Sequence, residues 1–215
     1  MCHMSVVEFI IETMQSHEFE GKKILEVGSR YENGSVRPLI QRCYSPREYI
    51  GIDIQPGRYV DLILPAEEIV NYFGENSFDA VISTEVLEHV KDWRLVINNI
   101  KRAVKPNGVI YITTRSYGFP YHAYPYDFWR YEIDDMKRIF ADFEIIELKN
   151  DPEAPGVFLK ARKPKRWKPV DLSNIQLYSI ILGKRTNRIV SVEDMPILRK
   201  IKLGIYAKVL HKSIV

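Results

Sequence analysis

Two carboxylates and one glycine define the chemistry available near the start of the chain. In ILEVGSRYENG, residues 24–34, Glu26 lies two positions before Gly28, and Asp53 closes the later stretch GIDI. A pyrophosphate cradle is built on G-x-G-x-x-G, because phosphate oxygens must approach backbone N–H groups at a helix N-terminus. After Gly28 the matching positions are Arg30 and Glu32 or Asn33, and the next glycine is Gly34. Those side chains obstruct a phosphate, and Glu26 on the pocket side of its strand repels one while suiting a cationic or hydroxyl-bearing ligand. Asp53 stands where an acid can accept hydrogen bonds from both ribose hydroxyls. The pattern predicts a ligand with a ribose and without a phosphate.

Proton transfer has its own candidates. His89 follows the strand FDAVIS at the expected start of a helix, and imidazole titrates near neutrality, as a general base requires. The blander role for it is to hold that helix or loop in place. The loop YHAYPYDFWRYE, residues 121–132, is aromatic at six of twelve positions, with His122, Asp127 and Arg130 interleaved. Beyond the carboxyl end of a fifth strand such a loop covers the reacting groups. Phe128 and Trp129 read as lid packing, whereas His122 and Asp127 read as catalytic candidates. Aromatic faces beside a carboxylate and a histidine suit a sugar. Cys2 and Cys43 are the only cysteines; their spacing suggests neither a zinc knuckle nor a disulfide framework, so no metal is expected and a reducing, cytoplasmic setting fits.

The elements that must position these groups alternate. Val6, Val7, Ile10, Ile11 and Met14 predict an amphipathic helix over residues 5–18; KKILEVGS predicts a strand; Asn33 and Ser35 offer caps to a helix carrying Val36, Leu39, Ile40 and Cys43; EYIGIDI is the next strand. Strand YVDLIL, a helix from Ala66, strand FDAVIS, a helix with Trp93, Val96, Ile97, Ile100 and Val104, turn KPNG and strand VIYITT continue the series. A helix at 132–141 and the strands FEIIELK and VFLKARK, joined by DPEAPG, close it. This is an α/β pattern: a Rossmann-like, seven-stranded, mostly parallel sheet with an antiparallel edge strand and helices on both faces.

Together the motifs resemble those of the class I S-adenosylmethionine-dependent methyltransferases, over residues 20–163. Glu26 and Gly28 match the E-x-G opening of the family's first motif, with Arg30 where a glycine is usual, and Asp53 matches its ribose acid. PAEEI is similar to the segment that contacts adenine, through Ala66 and Glu67, with Pro65 where many relatives carry an aspartate. FDAVISTEVLEHV is close to the family's fourth-strand signature, and KPNGVIYITT looks like its entry to the fifth strand. The resemblance implies S-adenosylmethionine as cofactor, held by Glu26, Gly28, Ser29, Asp53, Ile54, Ala66, Glu67, Ser83 and Glu85, with His89, His122 and Asp127 as catalytic candidates. Methyl transfer from a sulfonium is largely a matter of alignment, with a base where the acceptor carries a proton. PYDFWRY resembles a variant in methyltransferases encoded among glycan-assembly enzymes, which implies O-methylation of a saccharide or lipid-linked glycan.

The chain of 215 residues, 46% hydrophobic and 27% charged, can bury a full core. Its net charge of +3 is divided unevenly: from Pro164 onward eleven Lys and Arg face three Asp and Glu, giving +8 and leaving −5 for residues 1–163. The reading is a methyltransferase domain at 1–163 and a basic, partly helical extension at 164–215. KARKPKRWK, residues 160–168, is basic at six of nine positions. Beyond a solvated linker, it offers phosphate contacts to RNA with Trp167 as a stacking face, or attraction to anionic lipid. A C-terminal stripe of Leu198, Ile201, Ile205 and Val209, interrupted by Lys202 and Gly204, favours the membrane surface. Neither a signal peptide nor a spanning helix is expected. An RNA methyltransferase and a non-catalytic adaptor that kept the fold are the competing functions; a dehydrogenase is disfavoured by the failed glycine pattern.

Overall fold

The computed structural model describes residues 4–32 and 34–201. Val6, Phe9 and Ile10 recur at helical spacing and are buried in α1 (Met4–Thr13). The single opening helix expected over 5–18 is interrupted. A second turn, α2 (Ser16–Phe19), starts afresh after Gln15, whose N–H donates to the Glu18 carboxylate at 3.0 Å. Strand β1 (Lys23–Val27) leads to α3 (Arg37–Cys43), whose N-cap is Val36; the expected cap Ser35 sits one residue earlier, its Oγ accepting from the Arg37 N–H at 3.1 Å. Asn33, the other expected cap, lies outside the described residues. β2 (Glu48–Asp53), a short β3 (Leu62–Ile63), a 3-10 turn at Ala66–Glu68, α4 (Ile69–Phe73) and β4 (Phe78–Thr84) follow.

After a second 3-10 turn at Leu87–His89, the helix α5 (Trp93–Ala103) buries Trp93, Val96, Ile97 and Ile100, and Asp92 caps it by accepting from the Leu95 N–H at 3.2 Å. The expected turn KPNG is absorbed as a bulge into β5 (Val104–Arg115), with Asn107 at φ 64°. Then come β6 (Trp129–Arg130), α6 (Ile133–Ile139), β7 (Glu144–Asn150) and β8 (Gly156–Arg162).

Seven of these strands form one sheet in the order β3-β2-β1-β4-β5-β8-β7, parallel except where β8 runs antiparallel to both of its neighbours. Side chains alternate across it with the period of two that a strand imposes. Leu25, Val27, Val81 and Ile110 face a core shared with α5, and Ile24, Ala80, Ile82 and Tyr111 face one shared with α1.

The segment after Lys163 is packed into the α5 side. Leu172, Ile175, Leu177, Ile181, Val190 and Met195 are buried in the same core as the sheet. Strands β9 (Leu177–Ser179) and β10 (Lys184–Thr186) form a small antiparallel sheet with β6. Arg94 donates to the carbonyls of Leu172 and Ile175 at 2.9 and 2.8 Å. Much of the basic run is spent inside: Lys160 pairs with Glu18 at 2.8 Å, and Lys163 lies over the Trp167 ring and donates to the Val104 carbonyl at 2.7 Å. The Trp167 ring also meets Phe143 edge-on, and its Nε1–H donates to Asp142 at 2.9 Å. That ring is therefore committed to packing. Lys165, Arg166 and Lys168 remain exposed. Of the C-terminal stripe, Leu198 and Ile201 are exposed, while Lys202, Gly204, Ile205 and Val209 lie outside the described residues. Among those described, no helix is long and apolar enough to cross a membrane.

Candidate active site

A cavity of about 430 Å³ opens at the carboxyl ends of β1, β2 and β4. β1 and β4 are neighbours, but the chain runs away from them in opposite directions along the sheet. Such a switch point leaves a crevice that loops cannot fill, and ligands collect there. Glu26, Gly28, Ser29, Asp53, Ile54, Ala66, Glu67, Glu85 and His89 all line it. Ser83 does not: it sits fully buried in β4 behind the wall. His122 and Asp127 lie just outside, behind His89.

Gly28 is required by geometry. Its φ is +75°, and a Cβ added there would collide with Cγ2 of Val86. The N–H groups of Gly28 and Ser29 both donate to the Ile52 carbonyl, at 2.9 and 3.0 Å, which turns the chain across the end of β2. That turn brings the Arg30 N–H to one oxygen of Asp53 at 3.3 Å, while the Gln55 N–H reaches the other at 3.0 Å. Two backbone donors fix the carboxylate, and its remaining lone pairs are available to hydroxyls. The Arg30 guanidinium is occupied at the rim, bonded to Gln55 Oε1 and paired with Glu32 at 2.8 Å.

Three glutamates surround the cavity in unequal states. Glu26 is buried and accepts from the Tyr49 hydroxyl at 3.0 Å. Burial dominates over that hydrogen bond and raises its pKa to about 7. Glu85 follows β4 with φ +57°, a left-handed conformation that a non-glycine residue adopts only where its surroundings over-determine it. Burial, reinforced by the charge of Glu88, raises its pKa to about 8. Its partner Arg115 opposes this, but shares its charge with Asp151 at 3.1 Å. Glu88 is fully buried; one oxygen accepts from Thr114 Oγ1 at 2.9 Å and the other, Oε1, has no hydrogen-bond partner.

His89 occupies the end of the 3-10 turn, and α5 begins only at Trp93, so the residue expected at a helix start is on a loop wall. Its Nδ1 lies 2.5 Å from the Tyr126 carbonyl. A carbonyl only accepts, so Nδ1 carries the proton and the lone pair of the neutral ring is on Nε2. His122 packs against it, ring centroids 4.8 Å apart, with Nδ1 3.1 Å from Asp127. Asp127, expected as a catalytic candidate, is held as an anion. Although burial works against its charge, hydrogen bonds from Arg130 and His122 hold its pKa down at about 2. Arg130 makes two bonds to it, at 2.6 and 2.9 Å. Asp127 is thus a permanently ionised anchor for the loop. The same guanidinium donates to the carbonyls of Phe119 and Pro120.

Val86, Val90, Lys91, Tyr126 and Phe128 also line the cavity, and Glu88 and Arg115 stand behind it. Sequence reasoning placed Tyr126 and Phe128 in the covering loop, but gave no site role to Val86, Glu88, Val90, Lys91 or Arg115. Glu88 was within reach, since E-x-x-E-H puts two acids and an imidazole on one short turn. Arg115 acquires its part only through the distant approach of Asp151.

Comparison with known proteins agrees with this architecture. A model described as a methyltransferase domain matches residues 6–145. No curated protein sequence matches the chain. Among solved structures, the methyltransferase in complex with the Haloferax volcanii Trm112 methyltransferase activator is 16% identical with a TM-score of 0.59, the alignment covering 75% of this chain and 90% of that one. An S-adenosylmethionine-dependent methyltransferase from Listeria monocytogenes is 11% identical with a TM-score of 0.57, covering 74% and 97%. The Burkholderia thailandensis 1,6-didemethyltoxoflavin-N1-methyltransferase, solved with its substrate and S-adenosylhomocysteine, is 14% identical with a TM-score of 0.57, covering 75% and 77%. At these identities the likeness is one of fold.

Proposed function

We propose that this chain, which belongs to the methyltransferase domain family, is an S-adenosylmethionine-dependent methyltransferase that methylates a hydroxyl oxygen of a small or saccharide acceptor. The observation that carries the cofactor site is the convergence of Gly28, Asp53, Ala66, Glu67 and Glu85, from four separate segments, on one cavity at the switch point. The residues fit the group. Gly28 makes the positive-φ turn and lets Val86 pack against it, Asp53 keeps free lone pairs for ribose hydroxyls, and Glu26 and Glu85 are acids lining the same cavity, suited to a cation. When bound, S-adenosylmethionine supplies a methyl group on a sulfonium, whose departing sulfur is a neutral thioether.

The remaining work falls to this chain's residues. Asp53 and the Gly28 turn hold the nucleoside end. His89, Tyr126 and Phe128 form the opposite wall, from which an acceptor approaches. Nε2 of His89 is the lone pair on that wall able to activate an acceptor hydroxyl. Aromatic side chains around it, with Tyr124 and Tyr126 exposed on the loop, suit the flat apolar faces of a sugar ring. An RNA acceptor draws no support from Trp167, whose ring is already packed against Phe143 and Lys163.

Titration of the full chain with S-adenosylhomocysteine in a calorimeter tests the cofactor site. Wild type binds. Asp53→Ala weakens binding by about 1.5–3 kcal/mol, the scale of hydrogen bonds to a charged group, and NAD gives no heat. Binding that is unchanged in Asp53→Ala would remove Asp53 from the site. A panel of free sugars and oligosaccharides, assayed for methyl acceptance, tests the acceptor.

A further inference from the structure

The sequence gives no reason to expect a metal, yet three side chains from two segments meet at the acceptor wall in the form a metal requires. One ligand atom each from Glu88, His89 and His122 lies within 4.8 Å of the others. We propose that these three residues bind one divalent transition ion at the edge of the cavity.

Each ligand is already oriented by a second group, the arrangement that fixes imidazole tautomers around metal ions. The Nδ1 of His89 is committed to the Tyr126 carbonyl and the Nδ1 of His122 to Asp127 at 3.1 Å, so both rings keep their lone pairs on Nε2. Asp127 serves this purpose because Arg130 holds it ionised. Glu88 is oriented through Oε2 by Thr114, which leaves Oε1 with no hydrogen-bond partner although the residue is fully buried. A buried carboxyl oxygen without a partner is unfavourable, and the nearby Nε2 of His89, 3.8 Å away, presents its own lone pair. An ion between the three relieves that penalty. Two imidazoles and one carboxylate select zinc, manganese or iron over calcium or magnesium, and three protein ligands leave positions open, as in catalytic rather than structural sites.

Because His89 itself lines the cavity, an open position on the ion faces the acceptor side. There it would lower the pKa of an acceptor hydroxyl, whose proton would pass to solvent, with His89 serving as a ligand. This use of the ion, unlike its binding, rests on the methyltransferase reading.

The test uses the full chain, stripped with a chelator, dialysed, and titrated with zinc by calorimetry and with cobalt by visible absorption. One saturable equivalent is expected, with the ligand-field bands of nitrogen and oxygen coordination. His122→Ala, on an exposed loop position, and Glu88→Gln should each weaken binding at least about tenfold, the scale of disturbed metal shells. His122→Ala keeps the test decisive if Glu88→Gln disturbs folding. No binding by wild type, or binding that survives undiminished in both variants, overturns the proposal. S-adenosylhomocysteine affinity, measured on the same samples, reports separately on the methyltransferase reading.

Discussion

Two buried clusters of charge behave in opposite ways. Around Asp142 both carboxylate oxygens are satisfied: Oδ1 pairs with Lys101 at 2.6 Å, and Oδ2 accepts from Trp167 Nε1 and the Val170 N–H at 2.9 and 3.2 Å. Around the cavity, Glu85 Oε1 and Glu88 Oε1 are buried without hydrogen-bond partners, and the pKa values of Glu26 and Glu85 are raised to about 7 and 8. The first cluster joins a helix, a loop and the segment after Lys163, and its charges are neutralised in place. The second is held short of partners by the rest of the fold. Satisfied charge marks architecture, and charge kept wanting marks a place where something else is meant to bind.

The contrast can be broken most severely from the architectural side. Deleting residues 164–215 strips Asp142 of two donors and removes Leu172, Ile175, Leu177 and Ile181 from the core. Four such losses at about 2–5 kcal/mol each consume most or all of the roughly 5–15 kcal/mol of a typical domain. The shortened chain should fail to give a cooperative melt, and a sharp melt near that of wild type would show the segment to be dispensable. Lys101→Met is narrower. It leaves Asp142 charged and buried without its cation, and should lower unfolding stability by about 3–5 kcal/mol while the folded fraction binds S-adenosylhomocysteine as before. Denaturant titration alongside calorimetry checks both halves.

The cavity side responds to pH. Burial raises the pKa of Glu26 from an ordinary 4.5 to about 7 in the folded state, so the folded state binds the proton more tightly than the unfolded state. Its contribution is fully present below pH about 4.5 and is lost as pH rises through about 7, a change of about 3 kcal/mol at 1.36 kcal/mol per unit. In Glu26→Gln this part of the decline should vanish, so that variant and wild type diverge toward pH 8. Parallel stability profiles would show instead that Glu26 is solvated.

What the sequence disclosed follows from how local each signal is. Gly28 and Asp53 announce themselves because a turn that needs positive φ and an acid at a strand end are written in adjacent residues. The short strands β9 and β10 left no such trace: three residues each, they exist because two residues of a distant loop accept pairing. Asp127 was legible as a charge but not as a role, since the two bonds from Arg130 that hold it ionised depend on how the loop closes. The Glu88, His89 and His122 cluster was hidden for the same reason, its third member coming from beyond β5.

Arg130 fastens the loop after β5 by its own backbone, at Phe119 and Pro120, while β6 is sewn to β9. Residues 121–126 lie between these fixings, with exposed Tyr124 and Tyr126, the latter lining the cavity. Within this span His122 is held at Asp127 and the Tyr126 carbonyl at His89, so it is moored inside as well as at both ends. Tyr124, three-quarters exposed at the tip and away from those moorings, is where the span can change its outer surface while the Gly28 turn and Asp53 stay as they are.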